Sequence, residues 1–355
     1  FTSGHNNTTT RTTSTIPIPL QWIPDKTFQK NTALTALSIV KNPNSFCMIH
    51  QYRIKDRTQR APTALNTVEL LRTASLTLGL SPIKAMKAAE QLYMSGLMSY
   101  PRTESTKYPR SLPIYDLVSP HVNSLEWGEA ATKIINSSMR VPTIGKDAGD
   151  HPPIIPLRCC GKSQIKGGAN AWGIYRIVCT HFLASLLGNL TYTEHTAMLE
   201  VREGGKRKGK GSKGSKGNNG NNGNNNGNNN GNKKGGTTKS GGGSTTAFKY
   251  QWNELKDPGF ALAQSFRLDK LLEKKPPCSK VYKGQKIHIL NHTVNMVEDE
   301  TAPPPYLREH ELIDLMDKHG IGTDASMAGH CQTIVARKYV CVCDENGELI
   351  VEEKD

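Results

Sequence analysis

The chain has 355 residues, with 45 Lys and Arg against 31 Asp and Glu and a formal charge of +14. At 36% hydrophobic and 6% aromatic residues it is too thin in apolar mass for one large packed domain, which leaves two or three domains, or fewer plus unpacked stretches. Nine of the cations and no acid fall between Gly204 and Ala247, so the remainder is only mildly basic and charge alone proves no nucleic-acid partner; no run of eighteen apolar residues exists to form a transmembrane helix.

Residues 1–15 are mostly Thr, Asn, Ser and Gly, too polar to pack, and disorder is expected there. No secretory leader pattern is present. The chain begins at Phe1 and stops in charged residues just past a hairpin pattern, which reads as a piece of something longer. From Ile16 to Arg60, short apolar runs at Ala33-Leu34, Ile39-Val40 and Phe46–Ile49 fit a helix followed by a strand. Asn66 followed by Glu69 resembles a capping box, and Val68, Leu71, Ala74 and Leu78 recur at helical spacing up to Gly79, a C-terminal cap glycine. Ser81-Pro82 opens a second helix with Met86, Ala89, Leu92 and Tyr93 on its apolar stripe, and Gly96 ends it.

Trp172 to Leu187 predicts a core helix, and Leu190 to Val201 a strand. Lys-Gly and Asn-Gly repeats then run from Gly204 to about Ser244; such a tract cannot bury enough apolar area to offset ordering entropy and predicts a solvated loop between strands Thr191–Val201 and Ala247–Trp252. Lys286–Asn291 reads as one more strand. In the last fifty residues, Leu312, Leu315 and Met316 predict a short helix ended by Gly320. Thr323 or Asp324 is placed to cap a helix through Arg337. Tyr339–Cys343 and Glu348–Val351 flank Asn346-Gly347, a type I′ hairpin signal. Helix, turn, helix, hairpin is the order of a winged-helix module. The eight cysteines include no C-x-x-C pair, so reduced intracellular thiols are expected rather than a zinc ribbon or disulfide scaffold.

Tyr100 draws attention because Arg102 follows two residues later. A lone tyrosine before proline is usually just packed. Here, in extended backbone, residues i and i+2 face one side, so one anion can meet both phenol and guanidinium. A phenol with its usual pKa of about 10 needs a cation beside a phosphate to act as nucleophile, and Arg102 is placed to supply it. His151 stands between Asp150 and a diproline; a structural histidine and a phosphate or proton contact are both open, while Asp147 and Asp150 make a weak metal pattern. Gly320-Ile-Gly-Thr-Asp324 is no dinucleotide fingerprint, since no strand precedes it. It is either a phosphate-holding helix entry or a plain turn.

Four ordered stretches carry a resemblance. They are Ala64-Leu-Asn-Thr-Val-Glu-Leu-Leu-Arg72, Gly96-Leu-Met-Ser-Tyr-Pro-Arg-Thr-Glu-Ser105, Lys146-Asp-Ala-Gly-Asp-His-Pro-Pro-Ile154, and Leu315-Met-Asp-Lys-His-Gly-Ile-Gly-Thr-Asp-Ala-Ser326, the last followed by Ala336-Arg-Lys-Tyr-Val340. Together they resemble the type IA DNA topoisomerases, within them the topoisomerase III branch of the beta class. The resemblance is close over 62–189 and 303–343, loose over 190–302 and slight over 1–60. It implies that Tyr100 attacks a DNA phosphodiester to leave a 5′-phosphotyrosine, that Arg102 holds the scissile phosphate, and that His151 binds phosphate or relays a proton. Thr323 and Ser326 match the motif that contacts the strand upstream of the cut, and Thr103 and Lys146 join the nucleic-acid-binding set. The implied reaction is ATP-independent breakage, strand passage and rejoining of single-stranded or negatively supercoiled DNA, in the nucleus or also the cytoplasm. RNA is a substrate associated with the beta class, and protein partners are not implied.

The family's N-terminal Toprim domain, with its Mg²⁺-binding acids, is not matched here. Mg²⁺ is therefore expected of the whole enzyme but not on this chain, and the isolated chain is expected to be inactive. The fold expected is α+β and multidomain: arch segments 16–61 and 190–302 (the latter carrying the 204–244 insertion), a helical tyrosine-bearing domain at 62–189 inserted between them, and a winged-helix-like module at 303–355. The competing readings are an inactive single-stranded nucleic-acid-binding fragment and a structural protein with a Lys-Gly linker, which explains none of the four stretches.

Overall fold

In the computed structural model, residues 19–137, 141–203, 244–278, 280–289, 294–344 and 346–350 are described. The polar lead at 1–15 and the tract at 204–243 lie outside them. In chain order the elements are β1 (Gln21–Ile23), α1 (Lys30–Lys41), β2 (Phe46–Gln59), α2 (Thr67–Leu78), α3 (Pro82–Met94), α4 (Ile114–Val118), α5 (Gly128–Asn136), α6 (Gly168–Leu186), β3 (Leu190–Arg202), β4 (Thr245–Asp257), α7 (Ser265–Leu272), β5 (Lys286–Ile287), α8 (Glu309–Lys318) and α9 (Met327–Ala336). The molecule is a mixed α/β protein.

The strands form one sheet in the order β1-β4-β3-β2-β5, with the β1–β4 and β2–β5 pairs antiparallel. Strands from both sides of the long helical stretch therefore share a sheet. β3 shows why its sequence is a strand: Thr193, His195, Ala197, Leu199 and Val201 are buried in strict alternation with half-exposed neighbours. β5 is shorter than the expected Lys286–Asn291. Only Lys286 and Ile287 pair, with Met48 and Cys47, and part of the expected strand lies outside the described residues.

The chain divides into two compact units. One takes the described residues of Phe1–Lys55, Glu194–Trp252 and Lys274–Asp299, the other those of Asp56–Thr193, Asn253–Glu273 and Glu300–Asp355. The first has a small core of Ile39, Val40, Cys47, Ile49, Leu199, Val201, Tyr250 and Trp252. The second is built around α6, which buries residues on all sides, among them Ile174, Tyr175, Val178, Phe182 and Leu183, as a helix at a domain centre must.

Local sequence signals explain α2 and α3. The Asn66 side chain accepts from the Glu69 N–H at 3.0 Å, while the Glu69 carboxylate turns to Arg72 at 2.6 Å, so only half of a capping box forms. Gly79 closes α2 with φ +63°, a conformation that favours glycine. Pro82 sits in the first turn of α3.

At the other end of the chain the signals mislead in two places. α9 starts at Met327 with Ser326, not Thr323 or Asp324, at its N-cap. Among the described residues the expected hairpin keeps one bridge, Cys343 to Leu349, with the Asp344 N–H on the Glu348 carbonyl and the Ile350 N–H on the Val342 carbonyl. Its turn is closed by the Gly347 N–H on the Asp344 carbonyl, with Gly347 at φ +87°, so Asn346-Gly347 are not the two central residues of a type I′ turn.

Burial also makes this unit acid-sensitive. His121 is 1% exposed, its Nδ1 has no hydrogen-bond partner among the described residues, and its ring meets Trp127 at 5.6 Å. Desolvation lowers its pKa to about 4. The unfolded chain takes up this proton near pH 6.5, whereas the folded chain refuses it until about pH 4. Stability should therefore be steady above pH 6.5 and fall as the pH drops from 6.5 towards 4, by on the order of 3 kcal/mol. His181, also lowered by burial, adds to the same trend. Urea midpoints at pH 7 and 4.5 test this, and His121→Phe should flatten the difference.

Candidate active site

The segment around Tyr100 is irregular, with bends at Ser99 and Pro101, and is held from two sides. Ser99 exchanges with Ile155: the Ser99 N–H donates to the Ile155 carbonyl and Ser99 Oγ accepts from the Ile155 N–H, each at 2.9 Å. Beyond it, Thr67 at the start of α2 acts as a bracket. Its hydroxyl donates to the Pro101 carbonyl at 2.7 Å and accepts from the Thr103 N–H at 2.8 Å, while its own N–H donates to the Thr103 carbonyl at 3.1 Å. Thr67 and Thr103 are fully buried. Thr67→Val should leave the Thr103 N–H without its acceptor and cost about 2–3 kcal/mol, read as a lower denaturant midpoint.

A second clasp holds the 146–151 loop. Asp150 accepts from Ser105 Oγ and the Glu104 N–H, both at 2.7 Å. Desolvation opposes its charge, but these hydrogen bonds outweigh it and hold the carboxyl below its usual range. Thr106 and Lys146 exchange two more bonds, Lys146 N–H to Thr106 Oγ1 at 2.9 Å and Thr106 N–H to the Lys146 carbonyl at 2.8 Å. The loop comes so close that a Cβ on Gly145 would lie 2.1 Å from the Thr106 carbonyl oxygen, and Gly145 has φ +123°. Only glycine fits there.

These clasps set the neighbours of Tyr100. Its half-buried ring meets His151 at 4.6 Å between centroids and Tyr93 at 5.3 Å, both edge-on. Arg102 donates through Nε (3.2 Å) and Nη2 (2.6 Å) to Glu90 Oε1, and through Nη1 to the Ala325 carbonyl at 2.9 Å. Glu90 and Tyr93 are one turn apart on α3, so Tyr100 and Arg102 meet the same face of that helix. Ala325 lies in the turn before α9. There the Thr323 N–H donates to Ser326 Oγ at 2.9 Å and the Ser326 N–H to the Thr323 carbonyl at 3.1 Å.

The structure thus gathers Tyr100, Arg102 and His151, with the Thr323–Ser326 turn reaching Arg102 through a backbone carbonyl. Lys146 is exposed and tied in by its backbone. Thr103 is different: its hydroxyl donates to the His151 carbonyl at 2.5 Å and accepts from the Ser105 N–H at 3.0 Å. With no exposed surface it braces the loop and offers no face to a nucleic acid. Asp150 likewise clasps the loop and Asp147 accepts from the Gly149 N–H; among the described residues no group of three or more His, Cys, Asp or Glu could hold a metal ion. Sequence reasoning missed Thr67, Glu90 and Tyr93. The i, i+3 spacing of Glu90 and Tyr93 on the predicted helix was the one signal available for the pair.

The braced segment thus presents a phenol against an imidazole, with a guanidinium two residues on that meets the same helix. The chain matches the DNA topoisomerase family model over residues 5–217 and 233–354 and belongs to that family. It is 36% identical to DNA topoisomerase 3-beta of Arabidopsis thaliana over 81% of its length, and 32% identical to DNA topoisomerase 3-beta of Drosophila melanogaster over 94%. DNA topoisomerase 3-beta-1 of Homo sapiens is 31% identical over 91% of the chain. The chain spans 28–32% of the length of these relatives. Its fold is similar to full-length topoisomerase I from Thermotoga maritima, with a TM-score of 0.57 and 17% identity, over 90% of this chain and 45% of that one.

Proposed function

We propose that this chain supplies the DNA-cleaving tyrosine of a type IA, topoisomerase III-like enzyme that breaks, passes and rejoins single-stranded DNA without ATP. The phenolic oxygen of Tyr100 bonds to the phosphorus of a phosphodiester as the bond to the 3′-oxygen breaks. The downstream strand stays on the protein as a 5′-phosphotyrosine. The proton given up by the phenol is matched by one taken up by the departing 3′-oxygen. One ester replaces another, so the reverse step restores the strand with no nucleotide hydrolysis. The observation that carries this reading is the packing of the Tyr100 ring against His151, on a segment braced on both sides with Arg102 two residues away.

In this reading Arg102 stabilises charge on the phosphate, and His151 contacts a phosphate or relays the proton. Lys146, Thr323 and Ser326 meet the strand near the cut. The first unit is read as the arch and the second as the tyrosine domain with the winged-helix-like module, so Asn253–Glu273, expected within the 190–302 arch segment, goes with the tyrosine-bearing unit. Mg²⁺ belongs to the reading for the whole enzyme; among the described residues no group of three or more His, Cys, Asp or Glu offers a donor set for it. Action on DNA in the nucleus is part of this reading, supported by relatives named DNA topoisomerases. A plasmid assay tests the proposal: the intact protein should relax negatively supercoiled DNA without ATP, and a strict need for ATP would contradict it. Binding of this chain to a single-stranded oligonucleotide should also weaken steeply between 50 and 200 mM salt, since its contacts are mainly to phosphate.

A further inference from the structure

We infer that Glu90 is a positioning residue for the cleavage reaction, acting through Arg102. This rests on the role proposed above for Arg102. A guanidinium carries five N–H donors in a planar fork. Among the described residues three are engaged: Nε and Nη2 on one oxygen of Glu90, and Nη1 on the Ala325 carbonyl. Two remain for a phosphate, enough for a bidentate contact. An arginine side chain left free loses about 2 kcal/mol of rotamer entropy when it is fixed on a ligand. Here that ordering is already in place, because a helix-borne carboxylate and a backbone carbonyl hold the fork from two directions. The fork is thus aimed before DNA arrives, as transition-state stabilisation requires.

The charge balance fits the same role. Glu90 offsets Arg102, so the pair meets a phosphate as an oriented dipole rather than as a bare cation. Such a pair helps the transition state, where charge is redistributed on the phosphate, more than it helps ground-state binding of a polyanion. A mainly structural role is less suited to what is seen. The Glu90 side chain is 44% exposed and that of Arg102 28%. Ion pairs this open contribute little to folding. α3 is in any case anchored by Ala85, Met86, Ala89 and Leu92, all buried.

The test uses the intact protein and a single-stranded oligonucleotide labelled at its 3′ end, so that the 5′-phosphotyrosine fragment carries the label. Glu90→Ala, Glu90→Gln and both in an Arg102→Ala background are compared for dissociation constant and for adduct formation rate at saturating DNA. Alanine favours an exposed helix position, so the melting temperature should stay within about 2 °C of the parent. Glu90→Ala should slow adduct formation about tenfold or more, with affinity changed by less than about threefold, the signature of lost orientation. Glu90→Gln keeps an oxygen for Nε and Nη2 and should restore the rate to within about threefold. With Arg102→Ala already present, Glu90→Ala should have no further effect. Parent-like or faster cleavage by Glu90→Ala overturns the inference, as does an equal slowing in the Arg102→Ala background. If the parent forms no adduct, or Tyr100→Phe still forms one, it is the reading of Tyr100 that has failed.

Discussion

Tyr100→Phe should leave the protein folded and remove covalent capture of single-stranded DNA, a loss of at least about a thousandfold set by the assay background. The substitution deletes one oxygen. The ring that packs edge-on against His151 and Tyr93 is kept, and so are the backbone clasps at Ser99, Pro101 and Thr103, none of which uses the phenol. Melting temperature and oligonucleotide affinity should therefore match the parent while adduct formation and relaxation disappear together. A variant that lost affinity as well would show that the hydroxyl binds DNA rather than attacking it.

Arg102→Ala is expected to slow cleavage by roughly a hundredfold or more, the scale seen when one preorganised transition-state donor is lost. The loss should fall mainly on the rate at saturating DNA, because the countercharge of Glu90 leaves the pair little net pull on the ground-state phosphate. Arg102→Lys separates charge from geometry. An ammonium keeps the charge but cannot present a planar fork to Glu90, Ala325 and a phosphate at once, so it should recover only a small part of the rate. Single-turnover kinetics on the 3′-labelled oligonucleotide measures both variants.

Local chemistry made much of this scaffold legible. Asn66, Gly79 and Pro82 bound their helices by capping and torsional preferences that act within a few residues, and the alternation in β3 marks a half-buried strand. The i, i+2 spacing of Tyr100 and Arg102 predicts a shared side. It could not show that α3 faces that side, because the approach of Glu90 depends on the turn through Gly96 as well as on helix phase. Thr67 was hidden for a related reason: its partners are 34 and 36 residues away, and a buried threonine in the first turn of a helix reads from sequence as an ordinary residue. Thr103 shows the converse. A polar residue inside a matched motif invites a binding role, yet burial commits its hydroxyl to the loop. At the chain's end Thr323 and Asp324 have capping chemistry, but the turn carries the chain on to Ser326, whose hydroxyl accepts from the Thr323 N–H and caps no helix amide.

The central claim is that Tyr100 becomes covalently joined to the 5′ end of cleaved DNA. The most direct measurement is to incubate the intact protein with a 3′-labelled single-stranded oligonucleotide, denature it rapidly, digest both components and identify the modified peptide by mass spectrometry. The account predicts a nucleotide joined through phosphate to the phenolic oxygen of Tyr100, in the peptide containing Ser99-Tyr100-Pro101, with a free 3′-hydroxyl on the released fragment. A nucleotide on any other residue, or a 3′-linked adduct on Tyr100, would contradict it.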